Sequence, residues 1–298
     1  MPIVSTRRTF LAGLGAMLAP IPARAANPVS VDAVKAANDK IATLEAREGG
    51  RLGVAVIDAA GALTIAHRAD ERFPMCSTFK LLAAAAVLAK VDAGAEQLDR
   101  KLSYGSADLL EYAPVTKAHV ADGGMALGDL CAAAIDWSDN TAANLLLQTI
   151  GGPAGYTQFV RKLGDSLTRL DRNEPTLNTA IAGDERDTTT PLAMAGDMRA
   201  VLLGDVLSEA SRKQLAKWLI DDKVGDKRIR AGLPANWRAG DKTGSGDFGT
   251  ANTIAILWPP DRPPLLAAAY YTGSSGSVDA RNAVHKEVGA IIAQTFGG

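Results

Sequence analysis

Ser77-Thr78-Phe79-Lys80-Leu81-Leu82-Ala83-Ala84-Ala85-Ala86-Val87-Leu88-Ala89 holds a single charged residue in an otherwise apolar run of strong helix formers. So uniform a stretch reads as a helix buried nearly all round. The three-residue spacing places Lys80 on the same face as Ser77, at the N-terminal turn, where free amides and the helix dipole favour negative charge. A lysine in the first turn of such a helix needs a buried polar partner. The structural alternative makes Ser77 an N-cap and Lys80 a surface residue.

Outward from this helix, the chain from Ser77 to about Trp218 is rich in Ala and Leu with helical periodicity. It is broken at Gly94, Pro114, Gly123-Gly124, Gly151-Gly152 and the charged stretch Arg172 to Asp187. The block reads as all-helical. On its N-terminal side, Ser30 to Glu48 has helical spacing, and Leu52–Asp58 with Leu63–His67 forms a hairpin around Ala59-Ala60-Gly61. On its C-terminal side come strand signals at Trp237–Gly244, Ala251–Trp258 and Leu265–Tyr271, then a helix from about Val278 to Thr295. Short strands joined by tight turns predict an antiparallel sheet, and their placement means both chain ends must build it together. The expected fold is α/β in the α+β sense, an antiparallel five-stranded sheet flanked by helices with an inserted all-α domain. Residues 26–72 and 219–298 make the sheet domain, and residues 73–218 the all-α domain with an active-site loop at 172–187. A site at the seam of the two is sensible, because side chains from both halves converge there.

The N-terminus carries Arg7-Arg8 against an apolar stretch reaching Ile21 and closes with Ala23-Arg24-Ala25, a small-residue cleavage pattern. Residues 1–25 are therefore expected to be an export leader, of twin-arginine type with an ordinary Sec signal as the alternative, giving a mature chain from about Ala26 and a periplasmic location. Losing Arg7, Arg8 and Arg24 leaves 29 basic against 33 acidic residues and moves the net charge from −1 to −4. That argues against nucleic acid as a partner. No later run offers the roughly 18 apolar residues needed to span a bilayer, and no membrane anchor is expected. Cys76 and Cys131 read as two buried thiols. The three histidines, His67, His119 and His285, show no metal-ligand spacing, so no metal is expected.

Three further strings carry candidate chemistry. Ser138-Asp139-Asn140 sits between two apolar helices; alone it is an ordinary capping turn, and functionally Ser138 is placed to relay a proton while Asn140 donates to a substrate amide. Lys242-Thr243-Gly244 lies in a strand, where Lys242 reads either as an edge charge or, with Thr243, as a carboxylate holder. Gly244 and Gly246 let a ligand approach the backbone, so the Ser245 amide becomes a candidate oxyanion donor. In the segment beginning Arg172-Asn173-Glu174-Pro175-Thr176-Leu177-Asn178, Glu174 is placed to polarise a water and Asn178 to hold it, with Arg172 and Asp187 as an ion pair at the loop base; a solvated charged loop is the bland reading. Whether the bond before Pro175 is cis stays open.

Ser77-Thr-Phe-Lys80, Ser138-Asp-Asn140, Glu174-Pro-Thr-Leu-Asn178 and Lys242-Thr-Gly244, in this order, resemble the motif set of class A β-lactamases over essentially the whole mature length. Glu111-Tyr112-Ala-Pro-Val-Thr116 and Asp187-Thr-Thr-Thr-Pro191 resemble further segments of that family. The resemblance implies a serine acyl-enzyme that hydrolyses the amide bond of a small β-lactam, with no cofactor and a monomeric chain. Ser77 is the implied nucleophile, with Lys80 and Glu174 sharing the base work and Ser138 protonating the leaving nitrogen. The Ser77 and Ser245 amides are the implied oxyanion hole. Tyr112, Asn140, Asn178, Arg228, Lys242, Thr243 and Ser245 are the implied substrate contacts. Two departures stand out. Ala251 replaces an arginine that many members carry after the KTG strand, and Arg228 is expected to supply the guanidinium beside Lys242 instead. Gly246 stands where some carbapenem-hydrolysing relatives carry a cysteine facing the one before the nucleophile, so Cys76 is expected to lack that partner. A penicillin-binding transpeptidase would share Ser77, Lys80, Ser138 and Lys242, but Glu174 argues against one. A noncatalytic lactam sensor would ordinarily need a membrane-spanning partner segment.

Overall fold

The computed structural model describes residues 29–297, so the expected leader lies outside the described residues. Helix α1 (Val31–Glu48) starts where the Ser30 hydroxyl accepts from the Ala33 amide at 3.1 Å and stops at Gly49, whose φ of 69° only glycine adopts cheaply. The hairpin β1 (Arg51–Asp58) and β2 (Leu63–His67) follows. After β3 (Phe73–Pro74) the chain enters α2 (Phe79–Asp92). Next come β4 (Lys101–Leu102), β5 (Met125–Ala126), α3 (Leu127–Asp136), α4 (Asn140–Ile150) and α5 (Gly152–Lys162). The chain continues through β6 (Thr188–Thr189), α6 (Pro191–Leu202) and α7 (Glu209–Ile220). It ends with β7 (Arg238–Gly246), β8 (Thr250–Trp258), β9 (Leu265–Thr272) and α8 (Val278–Phe296).

The main sheet has the order β2-β1-β9-β8-β7, antiparallel throughout, so strands from the two chain ends meet at the β1–β9 pair. This is the expected five-stranded sheet. Its faces separate by the period of two along each strand. Val54 and Val56 join one core with α1 and α8, which includes Ile41, Leu44, Val288 and Ile292; Ala55 and Ile57 join the other. That second core runs without interruption from the sheet through Met194, Met198 and Val201 of α6 into the helical block around α2. The inserted helices therefore share their core with one face of the sheet. Helix α2 is buried along residues Phe79–Leu88, as its composition requires.

The middle block is not purely helical. Two short antiparallel ladders, β3 with β6 and β4 with β5, close loops inside it. Two-residue strands carry too little periodicity to be read from sequence. Cys76 and Cys131 are free and buried, as expected. Among the described residues no helix is long and apolar enough to cross a membrane, and no cluster of His, Cys, Asp or Glu is suited to a metal ion.

Candidate active site

Ser77 occupies a short 3-10 turn (Cys76–Thr78) that feeds directly into α2. The turn is entered through Cys76 at φ 47°, a left-handed conformation that a non-glycine residue holds only when its surroundings impose it. The surroundings are visible. Asn252 of β8 donates to the carbonyls of Pro74 (2.8 Å) and Met75 (3.1 Å), and the Met75 amide donates to the Asp187 carbonyl at 2.9 Å. The sheet and the 172–187 loop thus grip the chain on the N-terminal side of the nucleophile. Burial pushes the Cys76 thiol far up, so it stays protonated beside the reactive serine.

The polar partner demanded by Lys80 is found. Its side chain and that of Glu174 are both fully buried, with Nζ 3.0 Å from Glu174 Oε1. Lys80 Nζ also donates to the Ser138 carbonyl (2.8 Å) and Asn140 Oδ1 (2.6 Å), and lies 3.4 Å from Ser138 Oγ. Burial pulls the Lys80 pKa down, while Glu174 acts to hold the proton on. The Ser77 hydroxyl donates to the same Glu174 Oε1 at 3.2 Å. Glu174 Oε2 accepts from Asn178 Nδ2 at 2.5 Å. A buried charge pair is costly to desolvate, and this one brings an acid, a base and a hydroxyl within hydrogen-bond reach of one another.

Ser138-Asp139-Asn140 divides its labour. Asp139 is the cap, accepting from the Ala142 amide at 2.9 Å, and its carboxylate also holds the Val115 and Thr116 amides and the Thr116 hydroxyl. Ser138, at φ 59°, and Asn140 are thereby turned toward Lys80. With Asn140 Oδ1 taken by the lysine, its amide nitrogen remains to donate.

The 172–187 loop is closed as expected. Arg172 Nε donates to Asp187 Oδ2 at 2.6 Å, and Asp187 Oδ1 accepts from the amides of Asp171 and Arg172. The Glu174-Pro175 bond is cis. A further residue, absent from the sequence reading, secures Glu174. Asn144 accepts from the Glu174 amide and donates to the Glu174 carbonyl, both at 2.9 Å. Asn144 lies one helical turn beyond Asn140 on the same face of α4, and that spacing was its only legible signal.

Strand β7 forms the opposite wall at the sheet edge. A Cβ at Gly244 would lie 3.2 Å from the Ser77 amide nitrogen and 2.9 Å from the Met75 carbonyl, so glycine is what lets this strand approach the nucleophile turn. At Gly246 a Cβ would meet Cys76 Sγ at 2.7 Å, which confirms that this position faces Cys76. Lys242 is fully buried, and its only hydrogen bond among the described residues goes to the Thr243 carbonyl at 3.0 Å. A cavity of about 640 Å³ opens above these groups, lined by Ser77, Tyr112, Ser138, Asn140, Asn178, Arg228, Thr243 and Ser245 among others. Half-exposed Tyr112 forms one wall.

Arg228 departs from expectation. Nη1 donates to the carbonyls of Gly244 (2.8 Å) and Asn252 (2.6 Å), Nη2 to Ser245 Oγ (2.7 Å), and Nε to Asn282 Oδ1 (2.9 Å). Four of its five N–H donors serve the protein, so a fork free to grip a carboxylate is not what the structure holds. One Nη2 proton remains for the cavity. Burial lowers the guanidinium pKa to about 10.

A family model described as "Beta-lactamase enzyme family" matches residues 36–296. The chain is 50% identical over 265 residues to β-lactamase OXY-2 of Klebsiella oxytoca, covering 89% of each chain. It is 49% identical over 263 residues to β-lactamase CTX-M-8 of Citrobacter amalonaticus, covering 87% of this chain and 90% of that one. Among solved structures, an ancestral class A β-lactamase superposes with a TM-score of 0.86 at 60% identity, covering 87% of this chain and all of the other. The motifs, the converged Ser77–Lys80–Glu174 geometry and these likenesses agree: the chain belongs to the class A β-lactamase family.

Proposed function

We propose that this protein hydrolyses the amide bond of penicillins and cephalosporins through an acyl-enzyme on Ser77, and so confers β-lactam resistance. The observation that carries the reading is Glu174 Oε1, which accepts from the Ser77 hydroxyl at 3.2 Å and lies 3.0 Å from the Lys80 ammonium. All three protons of Lys80 have acceptors in Ser138 O, Asn140 Oδ1 and Glu174 Oε1, while the serine directs its hydrogen bond to the carboxylate. This supports Glu174 as the group that takes the Ser77 proton, with Lys80 stabilising the resulting charge.

Ser77 Oγ then bonds to the lactam carbonyl carbon, and the oxygen gains negative charge facing the Ser77 and Ser245 amides. The C–N bond breaks as Ser138 gives its proton to the nitrogen. Lys80, 3.4 Å from Ser138 Oγ, is placed to restore it. Glu174 then passes the proton it took from Ser77 to the neutral Lys80 amine 3.0 Å away, which restores carboxylate and ammonium. It next removes a proton from the water that attacks the ester, with Asn178 fixing the carboxylate, and gives that proton to Ser77 Oγ as the acyl C–O bond breaks. Lys242, Thr243, Ser245 and the remaining Arg228 donor hold the substrate carboxylate. Asn140 holds the side-chain amide, and Tyr112 flanks it. The protein acts as an exported periplasmic monomer, without a cofactor. Purified protein mixed with a chromogenic cephalosporin is expected to turn it over many times. A single stoichiometric burst leaving a stable adduct would instead identify a transpeptidase or sensor.

A further inference from the structure

Asn252 puts an amide where the sheet otherwise places aliphatic side chains. Along β8 it falls on the same face as Ile254 and Ile256, which join the core on the side of the helical block, and it is fully buried. An amide in such a place is costly unless it finds partners. Asn252 finds three: Nδ2 donates to the carbonyls of Pro74 (2.8 Å) and Met75 (3.1 Å), and Oδ1 accepts from the Tyr271 amide at 3.3 Å. The two carbonyls belong to the turn that leads into the nucleophile, with Cys76, at φ 47°, between Met75 and Ser77. Directly across the ladder from Asn252 stands Gly244 of β7, and Ser245 follows it. A Cβ on Gly244 would meet the Met75 carbonyl oxygen at 2.9 Å and the Ser77 amide nitrogen at 3.2 Å. One side chain of β8 thus holds the nucleophile turn against the strand that carries Ser245.

We propose that Asn252 is a positioning residue for the oxyanion hole: by holding the Pro74 and Met75 carbonyls it keeps the Ser77 amide at the spacing from the Ser245 amide that the developing oxyanion requires. The inference rests on the acyl-enzyme reading, in which those two amides face the charged oxygen. A non-glycine residue in the left-handed region relaxes once its surroundings allow it, and the peptide units on either side turn with it. Without the Asn252 side chain the Met75 carbonyl keeps the Thr78 hydroxyl at 2.8 Å, but both carbonyls lose their tie to β8. The Ser77 amide lies in the peptide unit between Cys76 and Ser77, so rotation about Cys76 moves that donor first. Lys80 stays on α2, and Glu174 stays tied to α4 through Asn144. The loss therefore falls on the oxyanion. Negative charge develops on that oxygen both when Ser77 attacks the lactam and when water attacks the ester, so the two steps weaken by a common factor.

Asn252→Ala is expected to lower the acylation and deacylation rate constants for a chromogenic cephalosporin together, each by about ten- to a hundredfold, the scale of a donor misplaced by about 1 Å. A common factor leaves the ratio of the two constants, and with it KM, unchanged where substrate equilibrates before acylation, and no adduct accumulates. Single-turnover stopped flow with enzyme in excess reads acylation, and steady-state turnover with intact mass reads deacylation. A lowered Tm with both constants intact would make Asn252 a brace for the fold alone and overturn the proposal; so would a loss confined to one of the two steps, or a change in KM alone. The oxyanion hole is also read directly. In a Glu174→Ala background, the infrared ester carbonyl band of the acyl-enzyme should move to higher frequency when Asn252→Ala is added, because its hydrogen bonds weaken; an unmoved band would overturn the proposal. Acylation is measured by itself, so wild type that stops at a stable adduct would refute the hydrolase reading and leave this comparison standing. Should Asn252→Ala fail to fold, Asn252→Leu, close to asparagine in shape but without donors, carries the same expectations.

Discussion

Asn144→Ala removes both hydrogen bonds that tie the Glu174 backbone to α4 without touching any group assigned to the chemistry. The Glu174 amide and carbonyl then face a partly buried site without partners, at about 1–3 kcal/mol each. Water replaces part of this, so a loss of about 2–4 kcal/mol is expected in the free energy that holds the segment in place. The carboxylate beyond that backbone must stay within hydrogen-bond distance of Ser77, Lys80 and Asn178 at once, and a displacement of about 1 Å costs about a hundredfold in rate. Deacylation should suffer more than acylation, because Lys80 stays anchored beside Ser77 on α2 and can take the serine proton when the carboxylate is displaced, while the water-activating step depends on Glu174 and Asn178 alone. Stopped-flow hydrolysis of a chromogenic cephalosporin is expected to show a burst and then turnover reduced about a hundredfold, with acylated protein visible by intact mass. Unchanged steady-state turnover would refute the claim that Asn144 positions the carboxylate.

Arg228→Ala is expected to raise KM for penicillins and also to lower Tm, because the guanidinium ties the carbonyls of β7 and β8 as well as Ser245; Arg228→Lys should recover neither, since a point charge cannot span four acceptors. An unchanged KM would remove Arg228 from substrate binding. His285 is fully buried, its Nε2 2.8 Å from the Ala251 carbonyl, and burial depresses its pKa to about 3 against 6.5 in the unfolded chain. The unfolded state therefore binds the extra proton first, and stability present above pH 6.5 is lost as pH falls toward 3. Denaturant unfolding should show that acid slope flattened in His285→Gln; an identical slope would contradict it.

Much of this architecture is legible in the chain because its signals are local and strong. The unbroken apolar character of α2 demands burial on all sides, and the short apolar runs either side of Ala59-Ala60-Gly61 mark the first hairpin. The catalytic groups are legible as a set, since each short string is ambiguous alone and only their order and spacing are specific. What stays hidden depends on contacts across the fold. Asn144 meets Glu174 thirty positions away, Asn252 reaches back to Pro74 and Met75, and Asp139 gathers the amides at 115 and 116. Arg228 is the sharpest case. Its residue type suits a carboxylate clamp, but a guanidinium buried between two strands must first satisfy the carbonyls around it, and that requirement decides most of its donors.

The account turns on Glu174 as the base that frees Ser77. Glu174→Ala incubated with a cephalosporin, then examined by intact mass and peptide mapping, tests this directly. A stable adduct on Ser77, beside wild type that turns over and returns unmodified, is the predicted result. The adduct should form more slowly than in wild type, because the buried Lys80, freed of the carboxylate that holds its proton on, is then the group left to take the Ser77 proton. Undiminished turnover by the variant, or an adduct on any other residue, would contradict it.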